Sequence, residues 1–127
     1  MTLSEFFNRN KLEGQTKEIV ITDRIKDENG ENFKFIIKPI GSDEFKDIGE
    51  KADIKKVSVD TLLVVNNCIY PNFKKKDEMK EAGFSTAVEY VNAVLGAGEV
   101  IKLANEIMNF SGFGKKDVEK DVETVKN

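Results

Sequence analysis

The feature that most constrains the fold of this chain is an Asn-Gly pair between two apolar segments. Asn29 and Gly30 end a polar cluster, and residues 17–26 and 32–39 on either side are rich in Ile and Phe. Asn and Gly tolerate the positive φ angles of a tight turn, so this arrangement is the strongest short-range signal of a β-hairpin. We therefore expect strands near residues 17–26 and 32–39. Pro39 cannot donate to a strand ladder and suits the end of the second strand.

Beyond the hairpin, the apolar residues follow a helical period. The acidic segment that begins at Ser42 is typical of a helix start and predicts a short helix ending near Gly49. Residues 57–70 are apolar on nearly all sides, and the length of this segment favours a central helix over a buried strand. Pro71 is expected to end that helix, since the residue before a proline is disfavoured in helical angles.

Three further helices are predicted between the glycines of the second half. Residues 75–82 predict a small exposed helix closed by Gly83. Thr86 and Glu89 have capping-box spacing at the start of the next helix. The apolar residues of the last helix recur at helical spacing and form one amphipathic face: Val100, Leu103, Ala104, Ile107 and Phe110.

The two ends of the chain are also amphipathic. Residues 2–10 predict a short helix, because Thr2 and Glu5 have capping-box spacing and the apolar residues fall on one side. Residues 115–127 carry four acidic and four basic residues and only three valines on one side. Three valines bury too little to hold a helix firmly. This segment is therefore expected to be either a C-terminal helix docked on the domain or a flexible tail that orders on binding.

These patterns together predict an α+β fold. The chain has 127 residues, close to the commonest size of one domain. We expect a single domain over residues 1–114, in which the N-terminal β-hairpin (about 17–39) packs on a bundle of short α-helices (about 42–110). Residues 115–127 follow it.

The residue inventory excludes most catalytic and metal sites. The chain has no histidine and one cysteine, Cys68, which rules out His-ligated zinc, Cys-pair zinc, a disulfide within the chain and any triad that uses imidazole. The loop beginning at Asp27 resembles the start of a calcium loop, but Asn32 and Lys38 stand where that loop needs Gly and Glu. We therefore predict no catalytic residue, no cofactor and no metal. A carboxylate-based hydrolase is the one enzymatic alternative left.

Charge and hydropathy exclude two further classes of partner. The net charge is −3 and basic residues are interleaved with acidic ones, which does not suit a phosphate-binding surface. No apolar stretch approaches the roughly 18 residues that a membrane span needs. The N-terminus lacks the basic and apolar parts of a signal peptide. We expect a cytoplasmic protein that binds neither nucleic acid nor membrane.

Apolar residues near the two ends are candidates for protein contact. Phe is over-represented, with nine in the chain, and the adjacent rings of a short terminal helix exceed what a small core can hide. The candidate interaction residues are Phe6, Phe7, Phe113, Val118, Val122 and Val125.

The order of several segments carries a family resemblance. These are Arg24–Gly30 (RIKDENG), Lys38–Ile40, the acidic helix after Ser42, Val64–Phe73 (VVNNCIYPNF), Gly98-Glu99 with Leu103, and Met108–Phe113 (MNFSGF). Taken in order, they span almost the whole chain. The set resembles the tail assembly chaperones of tailed phages, specifically the XkdN-like group of phages and defective prophages of Gram-positive bacteria.

The resemblance implies an assembly factor and not an enzyme. Such a protein binds and solubilises the tape-measure protein in the cytoplasm of the bacterial host while tail-tube subunits polymerise, and it is absent from the mature particle. Implied further partners are the tail-tube subunits, a longer frameshifted form of the same protein and other copies in a weak homo-oligomer. The alternative is a structural tail component that is retained in the virion.

Overall fold

The computed structural model describes residues 1–114, which form six α-helices, three short strands and a final π-helical segment. The helices are α1 (Leu3–Asn10), α2 (Ser42–Lys55), α3 (Val59–Asn67), α4 (Lys76–Glu81), α5 (Ala87–Val94) and α6 (Ala97–Met108). The strands are β1 (Lys17–Ile19), β2 (Phe35–Ile37) and β3 (Cys68–Tyr70), and the π-helical segment is Asn109–Phe113. The predicted α+β class is confirmed.

The hairpin forms around the predicted turn. β1 and β2 pair antiparallel, and the Asp27 carboxylate accepts hydrogen bonds from the backbone amides of Asn29 at 2.8 Å and Glu31 at 3.0 Å. Gly30 has a φ of 79°, a conformation that favours glycine. The strands are much shorter than predicted, with three residues each. Residues 20–24 leave this ladder, and among them Arg24 donates to the Val94 carbonyl and to the Glu99 carboxylate. Pairing resumes beside the turn, where the Ile25 carbonyl accepts from the Phe33 amide at 2.9 Å.

The prediction of one helix over residues 57–70 is wrong at its C-terminal end. α3 ends at Asn67, and the next three residues form β3, which pairs antiparallel with β2 in a sheet of order β1-β2-β3. Periodicity could not reveal this change, since the deciding interaction is distant in sequence. The buried Asn67 side chain donates to the carbonyls of Lys38 and Pro39, and this ties the end of α3 to the end of β2.

The prediction that the second helix ends near Gly49 is also wrong. α2 continues to Lys55, and Lys56 in the left-handed region (φ 55°) ends it. A glycine inside a helix costs only about 1 kcal/mol relative to alanine. Burial of Ile48 and Ala52 on either side of Gly49 offsets that cost, and Gly49 itself faces open space.

α1 and α4 begin and end within one residue of their predicted positions, whereas α6 ends at Met108, two residues before the end of its predicted apolar face at Phe110. Thr2 and Thr86 act as the predicted N-caps, accepting hydrogen bonds from the amides of Glu5 and Glu89. The core lies between α3, α6 and one face of the sheet. Its fully buried members include Phe35, Ile37, Leu63, Val64, Leu103 and Ile107. The predicted face of α6 is buried in this core except for Phe110, which packs against it while partly exposed.

Candidate protein-binding surfaces

Metal binding is the first property to consider for the titratable groups of residues 1–114. No cluster of three or more Cys, Asp or Glu side chains in this part of the chain could hold a metal ion. Burial raises the pKa of the Cys68 thiol to about 12, so it is not a nucleophile near neutral pH. None of the described helices is long and apolar enough to cross a membrane. The surfaces of interest are therefore those suited to protein contact.

The first surface is the apolar side of α1. Leu3, Phe6 and Phe7 lie at helical spacing on one side, and they are 89%, 59% and 60% exposed. No residue of α1 is buried, although the helix is capped by Thr2 and amphipathic. We call these three side chains the α1 face. This face has no partner in the core formed by the described residues, and covering it with another protein is favourable.

The structure places Phe113 near the point where α1 joins the domain. The Phe113 ring, 49% exposed, packs on the ring of Phe45 with centroids 5.3 Å apart. Leu12, just after α1, lies beside Gly41 at the start of the same helix, α2. The segment just after α1 and the π-helical segment at Phe113 are far apart in sequence, and both therefore approach the N-terminal part of α2. The other three candidates, Val118, Val122 and Val125, lie outside the described residues.

The second surface is a groove that sequence reasoning missed. It has a volume of about 490 Å³, and its lining includes Phe33, Tyr70, Phe73, Lys75, Glu78, Met79 and Tyr90. We call it the aromatic groove. No pattern in the sequence marks it, because its walls come from the hairpin, the β3–α4 connection, α4 and α5.

Aromatic pairs hold the walls of the aromatic groove in place. On one side the rings of Phe33 and Tyr70 stack with centroids 5.6 Å apart. On the other, Phe73 and Tyr90 contact each other at 5.9 Å. Met79 of α4 also lines the groove and is buried. Aromatic and Met side chains give a large apolar contact area that adapts to the shape of a ligand, which is typical of grooves that accept an apolar side of a helix.

The charges at the rim of the aromatic groove are few and exposed. Lys75 and Glu78, three residues apart at the start of α4, form an ion pair at 3.1 Å. The hydrogen bond from the Lys75 ammonium to the Glu78 carboxylate raises the pKa of Lys75. The groove therefore combines an apolar floor with one charge of each sign at its edge.

The chain is similar to known proteins over almost its whole length. Residues 3–126 match the family described as phage XkdN-like tail assembly chaperone protein. The phage-like element PBSX protein XkdN of Bacillus subtilis (strain 168) is 26% identical over an alignment of 139 positions. The alignment covers 98% of this chain and 93% of that protein. The crystal structure of the protein YqbN superposes with a TM-score of 0.69 at 25% identity, covering 90% of this chain and 98% of YqbN. The chain therefore belongs to the XkdN-like family of phage tail assembly chaperones, whose role is non-enzymatic.

Proposed function

We propose that this protein binds and solubilises the tape-measure protein during tail morphogenesis in the cytoplasm of the bacterial host, and is absent from the mature particle. Family membership supports a role in tail assembly. The single observation that carries the proposal is the α1 face, an apolar helix side that has no partner among residues 1–114. Long helical proteins with apolar stripes offer a complementary surface for such a helix.

The size of the α1 face suits a partner that must later be released. A helix of eight residues is about 12 Å long and buries far less area than a stable interface of standard size. Binding through this face is therefore weak for each copy, and incoming tail-tube subunits can displace it. Phe113, half exposed near the attachment point of α1, extends the same binding region. Val118, Val122 and Val125 are proposed to add contacts to the partner or to other copies of the chain.

Co-expression with a tape-measure fragment tests the role of the α1 face. The variant Phe6→Gln/Phe7→Gln should markedly lower the soluble fraction of the fragment relative to the wild-type chain. Its own free energy of unfolding should change by less than about 0.5 kcal/mol, because neither ring is buried. Ile54→Gln is the matched control, since Ile54 is an exposed apolar residue of α2 outside this region. Equal solubilisation by wild type and double variant would refute the assignment of the α1 face.

Two further measurements test the remaining parts of the proposal. Truncation after Gly114 should weaken binding of the tape-measure fragment, and unchanged binding and self-association would show that residues 115–127 contribute nothing. Mass spectrometry of purified particles should not detect this chain. Stoichiometric amounts in the particle would instead identify a structural tail component.

A further inference from the structure

Both ends of the described chain are anchored at the start of α2. Leu12, which follows α1, lies beside Gly41, the N-cap of α2. At the other end of the chain, the Phe113 ring packs on the Phe45 ring with centroids 5.3 Å apart. The Phe45 amide donates to the Gly41 carbonyl at 3.0 Å, so the two anchors are one helical turn apart, about 5.4 Å along α2. α1 and the residues that follow Gly114 therefore start from neighbouring points.

The direction in which the chain leaves α6 is also fixed. The Ser111 hydroxyl accepts a hydrogen bond from the Ile40 amide at 2.9 Å and donates to the Ile107 carbonyl at 2.6 Å. Gly112 then takes a φ of 100°, which turns the chain out of the helical path. As a helix, residues 115–127 can span about 20 Å, whereas α1 is about 12 Å long. This segment is therefore long enough to lie along the whole of α1.

α1 is a short helix that depends on burial it does not obtain from residues 1–114. Isolated helices shorter than about 12–15 residues are marginal in water, and α1 has eight residues. None of them is buried by the described part of the chain, and the α1 face is exposed. A second amphipathic helix alongside α1 supplies burial of this kind. The expected cover is thus an apolar helix side of similar length.

The valines after Gly114 have the spacing of such a helix side. Val118, Val122 and Val125 are four and three residues apart, so in a helix they lie on one side with the period of a coiled-coil seam. The segment starts near the C-terminal end of α1, and a helix that lies along α1 from there runs antiparallel to it. In that direction Val122 meets Phe6, and Val125 meets the residue at position 3.

The same alignment brings opposite charges together. Arg9 follows Phe6 by three residues and lies beside the α1 face, and Asp121 flanks Val122 in the same way on its own helix. Flanking positions of paired helices face each other, and opposite charges there favour one partner and one direction. The salt bridges formed within residues 1–114 do not include Arg9. The acidic residue of α1, Glu5, lies on the side of the helix away from this seam.

We propose that residues 115–127 form a helix that packs antiparallel on the α1 face of the same chain, with its valines on that face and Asp121 beside Arg9. Phe7 lies at the edge of this seam and stays partly exposed, so the paired helices still present an apolar side to a partner. Three valines bury little area, and the pairing therefore acts locally, by holding α1 in its helical form. The inference goes beyond the proposed function, because it concerns the chain without any partner.

Paired cysteines in the full chain test this contact. Leu3→Cys/Val125→Cys places two thiols in the proposed seam. Leu3→Cys/Glu123→Cys is the matched control, because position 123 lies on another side of the same helix. During mild oxidation of a dilute sample, the seam pair should close an intramolecular disulfide at least about fivefold faster than the control pair. Mass spectrometry and a non-reducing gel distinguish intramolecular from intermolecular products, and the native Cys68 is buried in every variant.

Amide hydrogen exchange in α1 gives a second readout. Val122→Asp puts a charge into the seam, and the amides of α1 should then exchange at least about threefold faster than in the wild-type chain. Thr124→Asp, a change in the same segment outside the seam, should leave this exchange as it is. Arg9→Glu should also speed exchange, and Asp121→Arg in the same chain should restore part of the protection. Unchanged exchange in α6 establishes that each variant is folded.

Four outcomes would overturn the inference. Equal closure rates of the seam and control pairs, or equal exchange in Val122→Asp and the wild type, would show that the segment does not pack on α1. Faster closure of Tyr70→Cys/Val125→Cys would place the segment in the aromatic groove instead. Intermolecular disulfides as the main product would place it on a second copy. Neither measurement includes a tape-measure fragment, so failure of this inference leaves the solubilisation test of the α1 face unaffected.

Discussion

Arg24 and Glu99 form a two-pronged ion pair that fastens the hairpin to the start of α6. The Arg24 guanidinium donates from Nε to Glu99 Oε2 at 3.0 Å and from Nη2 to Oε1 at 2.7 Å. The same Nη2 donates to the Val94 carbonyl at the end of α5. Glu99 also accepts from the Gly96 amide at 2.8 Å, which completes a capping interaction at the N-terminus of α6. The Arg24–Glu99 pair therefore joins three elements, the hairpin, α5 and α6.

Removal of the Glu99 carboxylate should destabilise the fold. Glu99→Ala loses both the cap and the ion pair, and we expect the free energy of unfolding to fall by roughly 1–2 kcal/mol. Arg24 is more than half exposed, so solvent screening keeps the ion-pair part of this loss small. Urea denaturation measures the change. Glu81→Ala, an exposed position in α4, is the control, and equal stability of the two variants would contradict the role of Glu99.

Stability should also depend on pH through Glu99. The hydrogen bonds from Arg24 and from the Gly96 amide lower the pKa of Glu99 from an ordinary value of 4.5 to about 2. A depressed pKa in the folded state stabilises the fold above the unfolded-state value, and this contribution is lost as pH falls from about 4.5 towards 2. Thermal midpoints measured across that window should therefore drop more for the wild type than for Glu99→Gln. Parallel curves would show that Glu99 titrates normally.

The buried amide of Asn67 should be sensitive to substitution. Its side chain is 0% exposed, donates to the carbonyls of Lys38 and Pro39, and accepts from the Asn66 side chain. Asn67→Ala leaves these buried carbonyls with one donor fewer, which should cost about 1–3 kcal/mol. Asn92→Ala, at an exposed helical position, should change stability by less than about 0.5 kcal/mol. If Asn67→Ala left the free energy of unfolding unchanged, the hydrogen bonds of Asn67 would not explain why α3 ends there.

The Cys68 thiol should be unreactive in the native protein. It is buried, and burial raises its pKa to about 12, so both access and thiolate content are low at pH 8. Iodoacetamide should alkylate the native chain at least about 100-fold more slowly than the chain unfolded in urea. Mass spectrometry of timed samples gives both rates. Fast native labelling would show that the end of α3 opens locally.

Local signals in the sequence were sufficient for several elements. The Asn29-Gly30 turn and the caps at Thr2 and Thr86 depend on residues within a few positions of one another, so they could be read directly. The buried apolar face of α6 follows from the helical spacing of its apolar residues alone. The sequence predicted that one of the adjacent rings of Phe6 and Phe7 would find no core to enter, and in the structure both are exposed.

Other features depend on contacts between distant segments. β3 exists because Asn67 bonds to the end of β2, and α2 continues past Gly49 because Ile48 and Ala52 reach the core. The aromatic groove needs Phe33 and Tyr70 stacked on one side and Tyr90 on the other, which only packing brings together.

The sequence by itself thus determined the fold class, the turn, the caps and the absence of imidazole chemistry, since each depends on composition or short-range pattern. Tertiary structure alone decided where strands end, which aromatic rings form a concave surface and which apolar helix has no partner within residues 1–114, because burial depends on contacts between distant segments.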